Sequence, residues 1–531
     1  MYQKNMRQLS FEDFYLPFGG KLNPDNRWLR LAGVIPWEEF EDEYAKNFSK
    51  NPTGCPAKSV RIALGALIIK ERLNTTDEEA VELIRESPYL QFFLGLGGFS
   101  DKAPFEASMY VHFRKRFSVD FLNTINERIV RATIEKANIN NDDEDKNGTS
   151  CGEDVEVDRE RPSVCDAGKN GATHKGKLLI DATCTPADIH FPTDINVLNS
   201  AREKSEEIID VLHPLSSLNK KPRTYRKKAR SNFLSISMSK RSTKSQKRKA
   251  RRKQLGYLRR NLKYISGLAK EVSLTCLSKR QYKNLLVLHE ILRQQRFMHD
   301  TKTYSVSNRI VSVSQPHVRP IVRGKLSART EFGAKISTSL VDGFSFLDRI
   351  NWEAYNETVD MKTQLDLFYK RFGVYPESVH ADKIYRSRKN RELCKNLGVK
   401  LNAMPLGRPT TDKDLRKQQQ KSCRKDDIAR IPIEGKYGEG KRKYSLNRIM
   451  AKLPNTSEAT IGIIYIVMNL EKYLRDAFFA LFLSINTRIK VVQFIRLRCS
   501  EALRQVRPSL VNSFNPQEMR VGRESMGAIC A

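Results

Sequence analysis

The chain has 531 residues, 39% of them hydrophobic and 29% charged, which reads as a globular protein of three or four domains. Lys and Arg number 94 against 61 Asp and Glu, a formal charge of +33, and a surplus of that size implies a polyanionic partner, most often nucleic acid. The longest apolar runs, Ile461–Met468 and Ala477–Leu483, fall short of the roughly 20 residues that span a bilayer; the charged start Met1–Phe18 has no apolar secretory stretch; and nine Cys without a CxxC pair argue against structural zinc and a disulfide framework, and for a reducing compartment.

Residues 1–138 read as helical. Ile62, Leu64, Leu67 and Ile68 recur at helical spacing within Val60–Leu73. Thr76-Asp77-Glu78-Glu79 has the form of a capping box that starts a second helix, which Ser87-Pro88 ends. A third helix over Glu106–Phe117 carries Arg114, Lys115 and Arg116. Short helices with tight joints suit either a helix-turn-helix-like module or a supporting bundle. Residues 139–176 read as an acidic linker, with ten Asp or Glu between Asp142 and Asp166 and almost nothing apolar; burial cannot offset the ordering entropy of such a stretch. It is expected to be a poorly ordered tether.

Lys177–Thr183 then reads as a buried strand ending in a carboxylate, Asp181. Between Lys220 and Lys270 there are 20 Lys or Arg and no Asp or Glu, so the rest of the chain keeps only +13 of the +33. Leu255, Leu258, Leu262 and Ile265 sit at helical spacing there, which predicts an amphipathic basic helix, exposed and loosely held, whose charges contact phosphate. Lys247, Arg248, Lys249, Arg251 and Arg252 are the candidate duplex contacts. Beyond 304 the pattern is mixed: strands at Ser307–Ser314 and Ala334–Val341, a helix over Val359–Phe372, and a short strand Glu377–Asp382 ending in a second carboxylate. A helix over Arg386–Leu397, a strand Val399–Leu401, and a Gly-broken helix Ile428–Leu453 follow. A last helix starts near Thr456, with Ile463, Ile464, Val467, Leu470 and Leu474 on one face.

Asp181 and Asp382 stand at the ends of short apolar strands, and Glu434 in a polar, basic segment read as helical. Carboxylates from adjacent strands and a packed helix can hold two divalent cations for phosphoryl transfer, and Mg²⁺ suits few carboxylates plus waters. By spacing alone, a chain of this length offers many such triples. Asp188 and Asp194 are structural or supporting candidates, His380 a packed histidine beside Asp382, and Trp352 and Tyr355 core.

The surrounding residues narrow the choice. Arg430-Ile-Pro-Ile-Glu434-Gly-Lys-Tyr-Gly-Glu-Gly-Lys441 resembles the Arg-x₃-Glu-x₆-Lys signature of bacterial insertion-sequence DDE transposases, as do Leu-Leu-Ile-Asp181-Ala-Thr and His-Ala-Asp382-Lys-Ile-Tyr. The segments Pro56–Lys70 and Glu82–Phe93 resemble their InsH-type N-terminal domain. The resemblance implies an α/β fold: an RNase H-like catalytic core with a helical N-terminal domain and a basic, mostly helical insertion. It implies an N-terminal domain over 1–138 that binds DNA ends, a core over 177–475 with the insertion at about 184–303, and a helical tail over 476–531. It implies a nuclease and strand transferase whose catalytic and metal-binding residues are Asp181, Asp382 and Glu434, with two Mg²⁺ or Mn²⁺ ions. Arg430 and Lys441 become DNA contacts. The partners are double-stranded DNA, both transposon ends and target, and a second copy of the chain in a homodimer; the setting is the bacterial cytoplasm and nucleoid, with no membrane. Two other readings share the core: a nuclease without strand transfer, and an inactive DNA-binding repressor. Glu439 is an alternative third ligand, but both spacings of the signature select Glu434. Where the family often carries Tyr, three residues before the Arg, this chain has Asp427. The glycines 435, 438 and 440 weaken a helix, through close approach to DNA or tight packing.

Overall fold

The computed structural model describes residues 10–17, 19–48, 56–145, 174–322, 330–402 and 413–479. Seven helices come first: α1 (Arg27–Val34), α2 (Glu41–Ala45), α3 (Val60–Leu73), α4 (Asp77–Glu86), α5 (Pro88–Phe93), α6 (Met109–Arg116) and α7 (Val119–Asp145). Local chemistry sets their ends. The Thr76 hydroxyl accepts from the Glu79 N–H at the start of α4, and Ser87 both ends α4 and caps α5, with Pro88 in its first turn. A side chain in this cap position satisfies an otherwise unpaired helix N–H.

Strand β1 (Lys177–Pro186) opens the sheet. Four helices then intervene, α8 (Asp194–Leu212), α9 (Arg226–Ser237), α10 (Lys244–Leu268) and α11 (Lys279–Asp300). Strands β2 (Arg319–Val322), β3 (Thr330–Val341) and β4 (Phe344–Asn351) follow. Then come α12 (Asp360–Phe372), β5 (Ser378–Ala381), α13 (Arg388–Asn396), β6 (Lys400–Leu401), α14 (Lys413–Ala429) and α15 (Ile431–Lys443). Residues 454–479 form the last described helix, α16.

β1 lies mid-sheet. It is antiparallel to β3, from Leu179 opposite Leu340 to Pro186 opposite Gly333, and parallel to β5, from Lys177 beside Ser378 to Ile180 beside Ala381. β2 and β4 pair with successive halves of the far edge of β3, and β6 extends the sheet parallel to β5. Gly333 is required at its register position: a Cβ there would lie 2.0 Å from the Thr185 carbonyl oxygen.

The two faces of β1 are buried against different helices. Leu178 and Ile180 pack with Met361, Leu365 and Phe368 of α12 and with Val130 of α7. Leu179 packs with Leu340 and with Ile433 and Tyr437 of α15. The four helices between β1 and β2 bury their own apolar cluster, Leu198, Ile209, Leu258, Leu262 and Leu288 among it.

Several expectations change. The third N-terminal helix starts at Met109, not Glu106. α7 runs to Asp145, into the stretch read as linker, and it docks on the sheet: the Asn126 amide donates to the Ser345 carbonyl (3.0 Å), and Asn469 bonds both. A buried polar network of this kind fixes one arrangement, so the acidic stretch is not the sole tether between the N-terminal helices and the sheet. Residues 146–173 of that stretch lie outside the described residues. Ser307–Ser314 is irregular rather than a strand, because Ile310 and Val313 turn into the helical cluster and Val311 packs with Val318. Ile428–Leu453 holds the end of α14 and all of α15, which stops at Lys443. The chain divides into two compact units, 1–470 and 471–531. The second is described only over 471–479, which is helical; the rest of the tail read as helical lies outside the described residues. Among the described residues no helix is long and apolar enough to cross a membrane.

Candidate active site

Asp181 is not the end of its strand, since β1 continues to Pro186. It stands where the pairing with β5 stops, one residue past the Ile180–Ala381 pair. Asp382 is one residue past Ala381, so the parallel register brings these carboxylates, 201 positions apart in sequence, to the same end of neighbouring strands, a strand spacing of about 4.8 Å. Asp382 caps a short 3-10 turn, Lys383–Tyr385, by accepting from the Lys383 N–H.

Alternation along β1 puts Asp181 on the face of Leu179 and Thr183, and α15 crosses that face. The Tyr437 hydroxyl donates to the Asp181 carbonyl (2.8 Å) and the Lys441 ammonium to the Thr183 hydroxyl (2.9 Å). Arg430, at the start of α15, holds the Glu434 carboxylate at 2.8 Å and reaches the Asp181 carboxylate at 3.7 Å. The Arg-x₃-Glu-x₆-Lys spacing is thus a one-face spacing on a helix laid over β1. Glu439 turns elsewhere, paired with Lys436, whose ammonium also donates to the Met468 carbonyl. Gly440 is explained by packing, because a Cβ would meet Met468 at 3.0 Å and Leu446 at 3.1 Å. Gly435 faces open space. Asp427, in place of the family's Tyr, pairs with Arg386 at 3.2 Å.

Burial pushes the Asp181 carboxyl up to about 6; the Ala182 N–H and Arg430 pull it down, and the negative charges of Glu357 and Asp382 push it further up. Burial is thus the main reason the proton is held, with Arg430 opposing it and the two acids adding to it. Glu357, absent from the sequence reading, lies in a second 3-10 turn, Glu357–Val359, and pairs with Lys335 at 3.5 Å. The fully buried Tyr385 hydroxyl has no hydrogen-bond partner among the described residues, a state that costs about 1–3 kcal/mol for a polar group. Among the described residues, no group of three or more His, Cys, Asp or Glu side chains is gathered closely enough to hold a metal ion. Arg430 takes up the Glu434 carboxylate instead.

The other candidates have structural partners. Asp188 pairs with Arg448 at 2.7 Å. Asp194 holds Arg251 at 2.9 Å and Arg309 at 2.8 Å. His380 is buried beside Ser378. Trp352 donates to Glu458 (2.7 Å) and stacks edge-on with His317, and the Tyr355 hydroxyl meets Ser337 at 2.7 Å. In the N-terminal helices, Arg114 pairs with Asp77 and Arg116 donates to the Tyr44 hydroxyl.

On α10, Lys247, Arg248, Lys249 and Arg252 are exposed. Arg251 is buried, held by Asp194 with its guanidinium over the Tyr304 ring, so it belongs to the packing of the helices. The basic stretch is not without counter-charge either: α8 supplies Asp210 to Lys221 and Arg226, and Glu206 to Arg226. α9 and α10 are consequently packed helices rather than a loose segment.

Two family models match the chain, a transposase domain (DUF772) over residues 17–116 and a transposase DDE domain over 379–471. The second covers Asp382, Arg430, Glu434 and Lys441. Both matches are to transposase domains, and they fall in order beside these motifs, so in these segments the chain is similar to DDE transposases. It is 37% identical over 116 residues to "Uncharacterized protein ORF8 in nfe locus" of Rhizobium meliloti; that match covers 22% of the chain and 53% of the relative. The chain spans about half the length of the relative it matches. No solved structure matches it significantly.

Proposed function

We propose that the chain is a metal-dependent DNA transposase that cuts at transposon ends and joins the freed 3′-hydroxyl to target DNA, on an RNase H-like core. The observation that carries this reading is the juxtaposition of Asp181 and Asp382 at one end of parallel neighbours, with Arg430, Glu434 and Lys441 laid across from α15. The sheet order supports the core: four strands, β1–β4, joined by antiparallel pairings, then β5 and β6 running parallel to β1, with α12 between the fourth and fifth.

The donor types suit a hard divalent cation, since carboxylate oxygens are the ligands Mg²⁺ and Mn²⁺ prefer, but the described carboxylates are not gathered into a metal site as they stand. Asp181, Asp382 and Glu434 would hold the ions once Arg430 releases Glu434. Bound ions activate the attacking oxygen and neutralise the leaving one. In cutting, a water oxygen bonds to phosphorus and the bond from phosphorus to O3′ breaks, leaving a 5′-phosphate and a free 3′-hydroxyl. In joining, that 3′-hydroxyl attacks a target phosphorus and one target O3′ leaves, so the number of phosphodiester bonds is conserved and no energy source is consumed. Arg430, freed from the carboxylates, and Lys441 are the contacts for the scissile strand's phosphates. The exposed cations of α10 hold duplex without reading its sequence. Sequence reading falls to the N-terminal helices.

Incubating the protein with Mg²⁺, a fragment bearing the DNA that flanks its gene, and a supercoiled plasmid tests this. Covalently joined products are expected. Nicks without joining would instead mean a nuclease, and binding without either product an inactive repressor.

A further inference from the structure

We propose that the chain binds one nucleotide in a pocket beyond the end of β1, with its base against a valine wall and Gln315 and its phosphate between Arg280 and Lys452. β1 ends at Pro186, about 17 Å along the strand from Asp181. The pocket begins at Asp188, so it is separate from the carboxylates of the candidate active site.

The cavity holds about 510 Å³, a size in the ordinary range for a small-molecule site. Its walls come from the turn after β1, from α8 and α11, from the irregular stretch 311–315 and from the segment before α16. Hydrogen bonds tie these pieces together. The Ile449 N–H donates to the Pro186 carbonyl (2.9 Å) and the Asp188 N–H to the Ile449 carbonyl (3.0 Å). The Gln315 amide donates to the Asp188 carbonyl (2.9 Å). The cavity is thus formed before any ligand arrives.

Three features select the ligand. Arg280 and Lys452 line the cavity, are exposed, and make no ion pair among the described residues, whereas Arg448 beside them is held by Asp188 at 2.7 Å and Lys204 by Glu207 at 2.6 Å. Two uncompensated cations on one cavity attract an anion. Val311 and Val313, both buried, supply an apolar wall. Gln315 is 2% exposed, and its Nε2 is committed to the Asp188 carbonyl. That bond fixes which way the amide points and leaves Oε1 buried without a hydrogen-bond donor. A bare anion would be repelled by this oxygen and gain nothing from the valines. A nucleotide meets all three features: a phosphate, a flat ring, and an N–H on the Watson–Crick edge of its base. The same chemistry is offered by a free nucleotide and by an unpaired nucleotide of a DNA strand.

The test is calorimetric binding to the full-length protein, without divalent metal, of the four deoxynucleoside monophosphates, of inorganic phosphate, and of two duplexes that differ by one unpaired terminal nucleotide. Either the monophosphates bind about tenfold or more tightly than inorganic phosphate, or the duplex with the unpaired nucleotide binds more tightly than its fully paired counterpart. The first result makes the ligand a free nucleotide, the second a nucleotide of a strand. Arg280→Gln with Lys452→Gln, both exposed and safe for folding, is expected to remove most of that preference. Gln315→Met, which keeps the length of the side chain and lacks the acceptor, is expected to reduce it while leaving the affinity for inorganic phosphate unchanged. Monophosphates no tighter than inorganic phosphate, together with equal affinities for the two duplexes, overturn the proposal. So does a preference that survives in the Arg280→Gln, Lys452→Gln variant, which decides the matter if Gln315→Met fails to fold.

Discussion

Asp181 holds a charge where the sheet allows it little water, and stability follows from that. Its carboxyl titrates near 6 in the folded, metal-free protein against 3.8 ordinarily. The folded state thus binds the proton more tightly than the unfolded state, and stability falls as pH rises through the interval between these values. Asp181→Asn removes the ionised carboxylate while keeping the shape. We expect the variant to lack that fall and to be more stable than wild type at pH 7, by about 1–3 kcal/mol, in chemical denaturation followed at pH 4 and pH 7. Equal stabilities at pH 7 would mean that Asp181 is not strained. Asp181, Asp382 and Glu434 were legible as residues because each sits in a motif of its own. Glu357 was not, because an acid just after Asn356 and just before a helix reads as an ordinary first-turn carboxylate. Arg251 was misassigned to the exposed face although it lies four residues before Leu255 and seven before Leu258, the spacing of the buried stripe.

At the scale of elements, α10 shows what spacing determines and what it leaves open. Leu255, Leu258, Leu262 and Ile265 are buried as their period requires, but the acids that anchor the helix come from α8 and carry no local signal in the basic stretch. Lys247, Arg248, Lys249 and Arg252 remain free to meet phosphate. Each phosphate contact adds about 0.9 to the slope of log affinity against log salt on duplex DNA. Replacing those four with Gln, and leaving Arg251 in place, is expected to weaken binding to every duplex about equally and to flatten that slope. An unchanged slope in a salt series would make α10 a solvated face, and loss confined to the transposon end would move sequence reading onto it. The strands divide in the same way. β1, α12, β5, α13 and β6 lie near their expected bounds, because buried apolar runs and helical periods are local. β4 was missed, yet Asp342-Gly343, both at positive φ, is a hairpin signal between two apolar runs that the sequence displays. Ser307–Ser314 alternates like a strand, but its apolar residues are claimed by the neighbouring helices, a tertiary effect that no local pattern contains.

Over the whole molecule, connection length hides the site. The helices α8–α11 separate Asp181 from the rest of the sheet, and only the β1–β5 register restores the Asp181–Asp382 pair. The docking of α7 through Asn126, Ser345 and Asn469 was equally invisible, since its partners are 219 and 343 positions away. The charge of +33 indicated a polyanion from the outset, though not what is done to it. That Asp181, Asp382 and Glu434 act as one site is the central claim. It is tested most directly by single-turnover cleavage, with Mg²⁺, of duplex DNA from the gene's flanks, comparing wild type with Asp382→Asn and Glu434→Gln while binding is measured in parallel. The account predicts that cleavage falls about a thousandfold or more in both variants and that DNA affinity stays within a few-fold of wild type. Cleavage at the wild-type rate in either variant would contradict it.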